Sequence, residues 1–244
     1  MSTKQTVVVT GASSGLGLSI ARAFLDLGYT VVGNGRSQAR LDEAAAALGN
    51  PERFLGVAGD ISLPATAEAL FERAIARFGK VDVLVNNAGI FNAKPFADFT
   101  VEEIDALIDT NLRGFVYPSQ VAARHMSARK EGHIINITAS VALHPDRNVP
   151  ATIAVLIKGG LNDATRALAL ELSPYNVKVT AVAPGIIETP MHAPETHGFL
   201  SGLNPAGRLG RPEDIADAVV YLANSSFING VVLPVDGGAT TGRW

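Results

Sequence analysis

The stretch "TVVVTGASSGLGLSIARAFLDLG", Thr6 to Gly28, decides the fold. It opens on a β-favouring run, Thr6 to Thr10, passes through a glycine-rich turn, and continues as an apolar-periodic segment that stops at Gly28. Val7 to Val9 suit a pleated strand, while Leu16, Ile20, Phe24 and Leu27 recur at a helical spacing and fall on one stripe. Gly28 suits the left-handed cap that ends such a helix. Between the two elements, Gly11, Gly15 and Gly17 stand as G-x-x-x-G-x-G, which lets the turn be tight and leaves the first N–H groups of the helix aimed at an approaching anion.

Outward from this unit the same alternation continues. Strand-like runs are read at 6–10, 30–34, 53–59, 81–87, 132–138, 177–184 and 230–235, with helix-like segments between them. Alternating strands and helices give a parallel sheet covered on both faces, so the fold class is α/β, a doubly wound Rossmann arrangement of seven parallel strands. No linker, charge block or sequence repeat interrupts it, and residues 1–244 read as a single dinucleotide-binding domain with a small substrate loop at about 186–208.

Composition narrows the partners. The chain is 47% hydrophobic and 18% charged, with a formal net charge of -3, so no broad basic field invites nucleic acid or an anionic membrane. The absence of cysteine excludes a disulfide framework, thiol catalysis and cysteine-bound metal, and the five histidines show no metal-ligand spacing, so no metal is expected. "MSTKQTVVVTG" runs directly into the first strand without a leader-like segment, and no apolar stretch is long enough to span a bilayer. A cytoplasmic location is the expectation.

Further along the chain stand "NNAG" at Asn86 to Gly89, Asn111 in a helical segment, "IKGGLNDATRALALEL" from Ile157, and "APGIIETP" from Ala183, followed by "GRLGRPEDIADAVVYLAN" and "VDGG". Together with the glycine-rich turn these resemble the short-chain dehydrogenase/reductase family over essentially the entire chain, in the style of bacterial 3-oxoacyl-carrier-protein reductases. The resemblance implies a nicotinamide dinucleotide. Gly11, Ser13, Ser14, Gly15, Leu16 and Gly17 are then expected around its pyrophosphate, with Asp60 and Ile61 at the adenine. Asn87, Ala88 and Gly89 are expected beside the adenosine ribose, and Pro184, Gly185, Ile187 and Thr189 at the nicotinamide.

Which dinucleotide is bound turns on "VVGNGRS" at the end of the second strand. A carboxylate there grips the ribose hydroxyls of NAD, whereas a basic residue accommodates the 2′-phosphate of NADP. Gly35 takes the acid's place by resemblance and Arg36 follows, so NADP(H) is favoured over NAD(H), a solvated surface arginine being the alternative.

The catalytic centre departs from the family. Its serine polarises the substrate oxygen, its tyrosine transfers the proton, its lysine holds the nicotinamide ribose, and its asparagine anchors a water relay. Asn111 and Lys158 stand at recognisable positions, but four residues before Lys158 the chain has Ala154 where the tyrosine belongs, and the tyrosines at 29, 117, 175 and 221 lie elsewhere. For the serine, counting forward from Gly132 reaches Ala139 and counting back from Lys158 reaches Val141, with Ser140 between them. A shift of one residue along a strand turns a side chain to the other face unless a bulge or loop restores it. Ser140 is taken as the polarising group, a hydroxyl capping the strand end being the alternative. His144, in "ALHPDRN", is of a residue type able to exchange a proton but reads more readily as a solvated loop residue.

The expectation is therefore an NADP(H)-dependent oxidoreductase interconverting a carbonyl and a secondary alcohol on a small molecule, with Ser140, Lys158 and Asn111 in its catalytic centre. A binding or regulatory protein that holds NADP(H) without turnover is the main alternative, and a lyase-like reaction on the same scaffold is a lesser one. "FINGVVLPVDGG" and the long helix after Lys158 resemble segments that build twofold interfaces, so a homotetramer or homodimer is expected.

Overall fold

The computed structural model describes residues 5–242. Its strands are β1 (Thr6–Val9), β2 (Thr30–Gly35), β3 (Phe54–Ala58), β4 (Val83–Asn86), β5 (Gly132–Ile137), β6 (Val177–Pro184) and β7 (Val232–Val235). They form one seven-stranded sheet in the order β3-β2-β1-β4-β5-β6-β7, every pair parallel. The helices are α1 (Gly15–Asp26), α2 (Gln38–Ala47), α3 (Pro64–Phe78), α4 (Val101–Leu107), α5 (Gly114–Arg129), α6 (Thr152–Leu172), α7 (His197–Ser201) and α8 (Pro212–Asn224). This is the doubly wound architecture read from the alternation, and the order reverses between β1 and β4. In such a sheet the crevice at the carboxyl ends of these two strands is where a ligand lies.

The alternation of side chains along each strand builds one apolar layer per face. Val7, Val9, Val31, Val85 and Ile135 pack with Ile20 and Phe24 of α1 and Ile215 and Val219 of α8. Val8, Val32, Leu84, Ile134 and Val179 pack on the other face with Leu70 and Phe71 of α3, Met126 of α5 and Ala169 of α6. In α1 the buried stripe holds Gly17, Ile20, Ala21, Phe24 and Leu25, whereas Leu27 is 55% exposed. The expectation for Leu27 fails because the helix ends at Asp26 and Leu27 is its cap, with Gly28 following at φ 89°. The strand ends agree with the expected limits to within two residues, β6 coinciding with them and β2 running one residue further, to Gly35.

Two features position the site. A buried polar ladder crosses the sheet: Asn86 Nδ2 donates to Ser119 Oγ at 2.9 Å and to Asn136 Oδ1 at 2.9 Å, and Asn136 Nδ2 donates to Thr165 Oγ1 at 2.9 Å. It ties β4 and β5 to α5 and α6. The second feature is a π-helical turn, Ile108–Arg113, that joins α4 to α5 without a break. Leu107 before it packs against Ile153 and Ile157 of α6. Among the described residues no helix is long and apolar enough to cross a membrane.

Candidate active and nucleotide-binding site

The loop between β1 and α1 has the form a pyrophosphate cradle requires. Gly11 and Gly15 have φ of 67° and 53°, the left-handed region that favours glycine, and a Cβ on Gly17 would collide with the Gly11 carbonyl. Ser14 caps α1 in an extended conformation but its side chain makes no capping bond, which leaves the helix's first N–H groups free for an anion. Thr10 and Asn87 clamp the neighbouring loop. Thr10 Oγ1 accepts from the N–H groups of Asn87 at 3.0 Å and Ala88 at 2.9 Å, while Asn87 Nδ2 donates to the Thr10 carbonyl at 2.8 Å. The cradle is also tied to β2, because the Ala12 N–H donates to the Asn34 carbonyl at 2.8 Å.

At the end of β2, Gly35 lies against Ser13: a Cβ there would meet Ser13 Oγ at 3.2 Å. Arg36 follows, exposed, and no carboxylate pairs with it among the described residues. Asp60 is exposed, with Oδ1 accepting from the Ser62 N–H at 2.9 Å. Ile61 follows Asp60. It is 5% exposed and packs in the core beside Gly114, so its side chain is occupied by the protein interior.

On the other side of the crevice β6 ends at Pro184 and Gly185 follows, its N–H donating to the Val235 carbonyl at 3.0 Å. The Glu188 N–H donates to the Gly210 carbonyl and the Gly210 N–H to the Ile186 carbonyl, each at 2.9 Å. By strand alternation the N–H and carbonyl of Ile187 therefore point away from Gly210, while its side chain is buried. Thr189 and Pro190 reach the glycine-rich turn, where a Cβ on Gly15 would lie 3.6 Å from Thr189 Cβ. The segment expected as an irregular substrate loop contains the short helix α7, and a cleft bounded by Glu188, Thr189, His192 and His197 opens there. Burial lowers the pKa of His192, helped by the adjacent His197.

Helix α6 carries Ala154, Lys158, Asn162 and Thr165 at intervals that keep them on one face. That face meets β5: Lys158 Nζ donates to the Ile137 carbonyl at 2.9 Å, as Thr165 receives Asn136. Burial pulls the Lys158 pKa down to about 8 from 10.5, with no charged group contributing. Asn111, in the π turn, is 3% exposed and grips the loop after β4. Its Nδ2 donates to the carbonyls of Ile90 at 3.0 Å and Leu107 at 3.1 Å, and its Oδ1 accepts from the Ile90 N–H at 3.2 Å. A Cβ on Gly89 would lie 2.8 Å from Asn111 Oδ1 and 3.4 Å from Lys158 Nζ, so the asparagine, the lysine and this loop meet at one point.

Ser140 begins a 3-10 turn, Ser140–Ala142, after Ala139 has carried the chain out of β5 in an extended conformation. The face-flipping argument for a strand ceases to apply where the turn begins, and the turn packs against α6. Ser140 is 8% exposed, and its hydroxyl makes no hydrogen bond among the described residues. His144 is exposed two residues beyond the turn. Ala154 is buried, at 3% exposure. The four tyrosines belong to other elements: the Tyr29 hydroxyl bonds Asn224, Tyr117 lies in α5, Tyr175 in the turn after α6 and Tyr221 in α8. Among the described residues no group of three or more acidic or histidine side chains could hold a metal ion.

Sequence reading missed the π turn, the gripping role of Asn111, and the clamp made by Thr10. A signal for the last was present, since Thr10 is the polar residue between the strand and the first glycine of the turn.

The glycine-rich loop lies at the switch point of a doubly wound sheet, and similarity to known proteins says to which family such a chain belongs. The family described as enoyl-(acyl carrier protein) reductase matches residues 11–240. The (2S)-[(R)-hydroxy(phenyl)methyl]succinyl-CoA dehydrogenase subunit BbsD of Thauera aromatica is 36% identical over 243 residues, covering 96% of each chain. The 3-oxoacyl-[acyl-carrier-protein] reductase FabG of Thermotoga maritima is 34% identical over 240 residues, covering 95% of this chain and 96% of its own. Among solved structures, a 3-ketoacyl-(acyl-carrier-protein) reductase from Brucella melitensis complexed with NADH aligns with TM-score 0.91 at 33% identity, over 97% of this chain and 98% of that one. A tyrosine-to-phenylalanine variant of ElxO with NADPH bound aligns with TM-score 0.92 at 27% identity, over 98% and 100%. The chain belongs to the short-chain dehydrogenase/reductase family. These relatives are dehydrogenases and reductases, and the two solved neighbours hold different dinucleotides.

Proposed function

We propose that the protein is an NADP(H)-dependent oxidoreductase that interconverts a carbonyl and a secondary alcohol on a small molecule. The observation that carries this reading is the meeting of Lys158 Nζ and Asn111 Oδ1 at Gly89, on the loop that Thr10 beside the glycine-rich cradle holds through Asn87 and Ala88. A bound dinucleotide supplies hydride to, or takes it from, the substrate carbon. In this reading the α1 N-terminus and its glycines bind the pyrophosphate, Pro184, Gly185, Ile187 and Thr189 hold the nicotinamide end, and Asn87 to Gly89 line the ribose side. Asp60 and the backbone at Ile61 bound the adenine. Lys158 holds the second ribose and Ser140 directs the substrate oxygen with its unengaged hydroxyl. Asn111 is a positioning residue: both its amide hydrogens are spent on backbone carbonyls, so it fixes the Gly89–Ile90 loop.

Arg36 supports the choice of NADP(H). An exposed guanidinium without a protein carboxylate, beside a neutral Gly35, suits a 2′-phosphate, whereas NAD recognition asks for an acid there. Exposed apolar side chains support a homodimer or homotetramer: Leu156 and Leu170 on α6 are 70% and 78% exposed, and Phe227 beyond α8 is 98% exposed. Multi-angle light scattering at micromolar concentration tests this, and a monomer refutes it. The reaction itself is tested by NADPH consumption against a panel of ketones and aldehydes. A second reading, an inactive NADP(H)-binding protein, is favoured by one residue, Ala154, which leaves no phenol on α6; cofactor binding without consumption identifies it.

A further inference from the structure

We propose that Asn34 is a positioning residue for the adenosine end of the dinucleotide: from inside β2 it holds the glycine-rich cradle, the Arg36 corner and the Asp60 corner in one arrangement. The inference rests on the dinucleotide-binding part of the reading above. Asparagine is disfavoured within strands, and a buried primary amide without partners is costly. Asn34 is nevertheless 2% exposed, in a strand whose preceding positions are Val31, Val32 and Gly33. Its Nδ2 carries two hydrogens, and each has a carbonyl to meet: Val57 at 3.2 Å and Gly59 at 3.0 Å.

The second of these bonds reaches past the sheet. β3 ends at Ala58, paired with Gly35, and one residue later the Gly59 carbonyl accepts no hydrogen bond among the described residues except that of the Asn34 amide. The Gly59 N–H donates to the Gly35 carbonyl at 3.0 Å, and a Cβ on Gly59 would lie 2.7 Å from Thr66 Cγ2 of α3, so this residue is closely held. Asp60 follows at once and turns the chain toward α3, its carbonyl accepting from the Leu63 N–H at 3.1 Å. The Asn34 amide therefore fixes where β3 delivers Asp60. The backbone of Asn34 holds the cradle: its carbonyl accepts from the Ala12 N–H at 2.8 Å, and a Cβ on Gly33 would lie 2.9 Å from Ala12 Cβ. Ala12 is thus bonded to Asn34, Asp60 follows the glycine that Asn34 binds, and Arg36 stands two residues further along the chain. Parts held in place beforehand lose less freedom when a ligand arrives. An apolar residue of the same size would keep the strand pairing but release the Gly59 carbonyl. The nicotinamide end is built from β6 and the segment after it, which β1, β4 and β5 separate from β2 in the sheet.

The test uses Asn34→Leu in the whole chain, which keeps the volume and removes the amide. Adenosine 2′,5′-bisphosphate and ADP present the adenosine end with and without the 2′-phosphate. By calorimetric titration without substrate, whichever of the two wild type binds more tightly should bind the variant about 10- to 30-fold more weakly, the scale of one lost hydrogen bond and the ordering it provided. In the unliganded chain the Gly59 amide should lose about 10-fold in hydrogen-exchange protection, while the Gly185 amide at the nicotinamide end keeps its own. On a carbonyl that wild type reduces, KM for the dinucleotide should rise by about 10-fold with kcat within about twofold. A folded variant that binds the adenosine ligand within about threefold of wild type overturns the inference and leaves the dinucleotide reading standing. Equal loss of protection at Gly59 and Gly185 also overturns it, since it marks a general structural role. A wild type that binds neither NADPH nor NADH overturns the reading and the inference together. Should Asn34→Leu fail to fold, Asn34→Asp replaces it: a carboxyl has the same shape and donates only when protonated, so its affinity relative to wild type should rise from about pH 8 to about pH 5. A relative affinity that stays constant over that range overturns the inference.

Discussion

Replacing Lys158 with methionine should stabilise the protein without cofactor more at neutral than at alkaline pH. Burial holds the lysine at about pKa 8 against 10.5 in the open chain, so the folded state binds fewer protons than the unfolded state between those values. Stability from this group therefore rises as pH climbs through that window, and the full penalty is present below about pH 8. The gap corresponds to about 3 kcal/mol at pH 7 and to less than about 1 kcal/mol at pH 10. Methionine is close in shape and removes the penalty, but it forfeits the bond to the Ile137 carbonyl, about 1 to 3 kcal/mol at either pH. The pH difference isolates the ionisation, because methionine does not titrate and the extra strength of the bond from the charged amine is already contained in the lysine's pKa. Urea denaturation of wild type and Lys158→Met at pH 7 and pH 10 is the assay. The variant's stability relative to wild type should fall by about 2.5 kcal/mol between the two. A relative stability that stays constant within about 0.5 kcal/mol refutes the claim that burial governs this lysine.

Three further outcomes follow from the same contacts. Arg36→Ala should weaken NADPH binding by about 10- to 100-fold and leave NADH unchanged, by fluorescence titration; a wild type that binds both equally refutes the 2′-phosphate assignment. Asn111→Leu deprives the Ile90 N–H and carbonyl of their partner and should cost about 2 to 3 kcal/mol in chemical denaturation, whereas a loss below about 0.5 kcal/mol shows that the loop does not depend on it. Ala154→Tyr should raise carbonyl reduction, and its melting temperature should fall because Ala154 is buried and a phenol overfills its surroundings; a variant that folds and binds dinucleotide with no gain on any carbonyl that wild type accepts refutes the reading of Ala154 as a missing donor.

The sheet was legible because its strands are long β-branched runs and its first turn combines three glycines with a helix start. Much of the cradle was legible for the same reason: Gly11 and Gly15 adopt the left-handed backbone that their spacing anticipated. The burial of Ile61 was not legible, because an apolar residue after Asp60 suits core packing as readily as contact with a base, and its neighbour Gly114 is 53 positions away in the chain. Ser140 stayed ambiguous in sequence because the counts from β5 and from α6 disagree by two residues. The 3-10 turn absorbs that difference, and no local pattern announces a turn of three residues. The π turn at Asn111 was equally silent, since its extra residue matters only through contacts with Ile90, which lies 21 positions away in the chain.

The account stands most directly on whether electrons move. Purified protein mixed with NADPH and a panel of small ketones and aldehydes should oxidise the dinucleotide, with one mole of alcohol appearing for each mole of NADPH consumed. Tight NADPH binding with no consumption on any member of the panel, in either direction, contradicts the assignment of an oxidoreductase and leaves a dinucleotide-binding protein in its place.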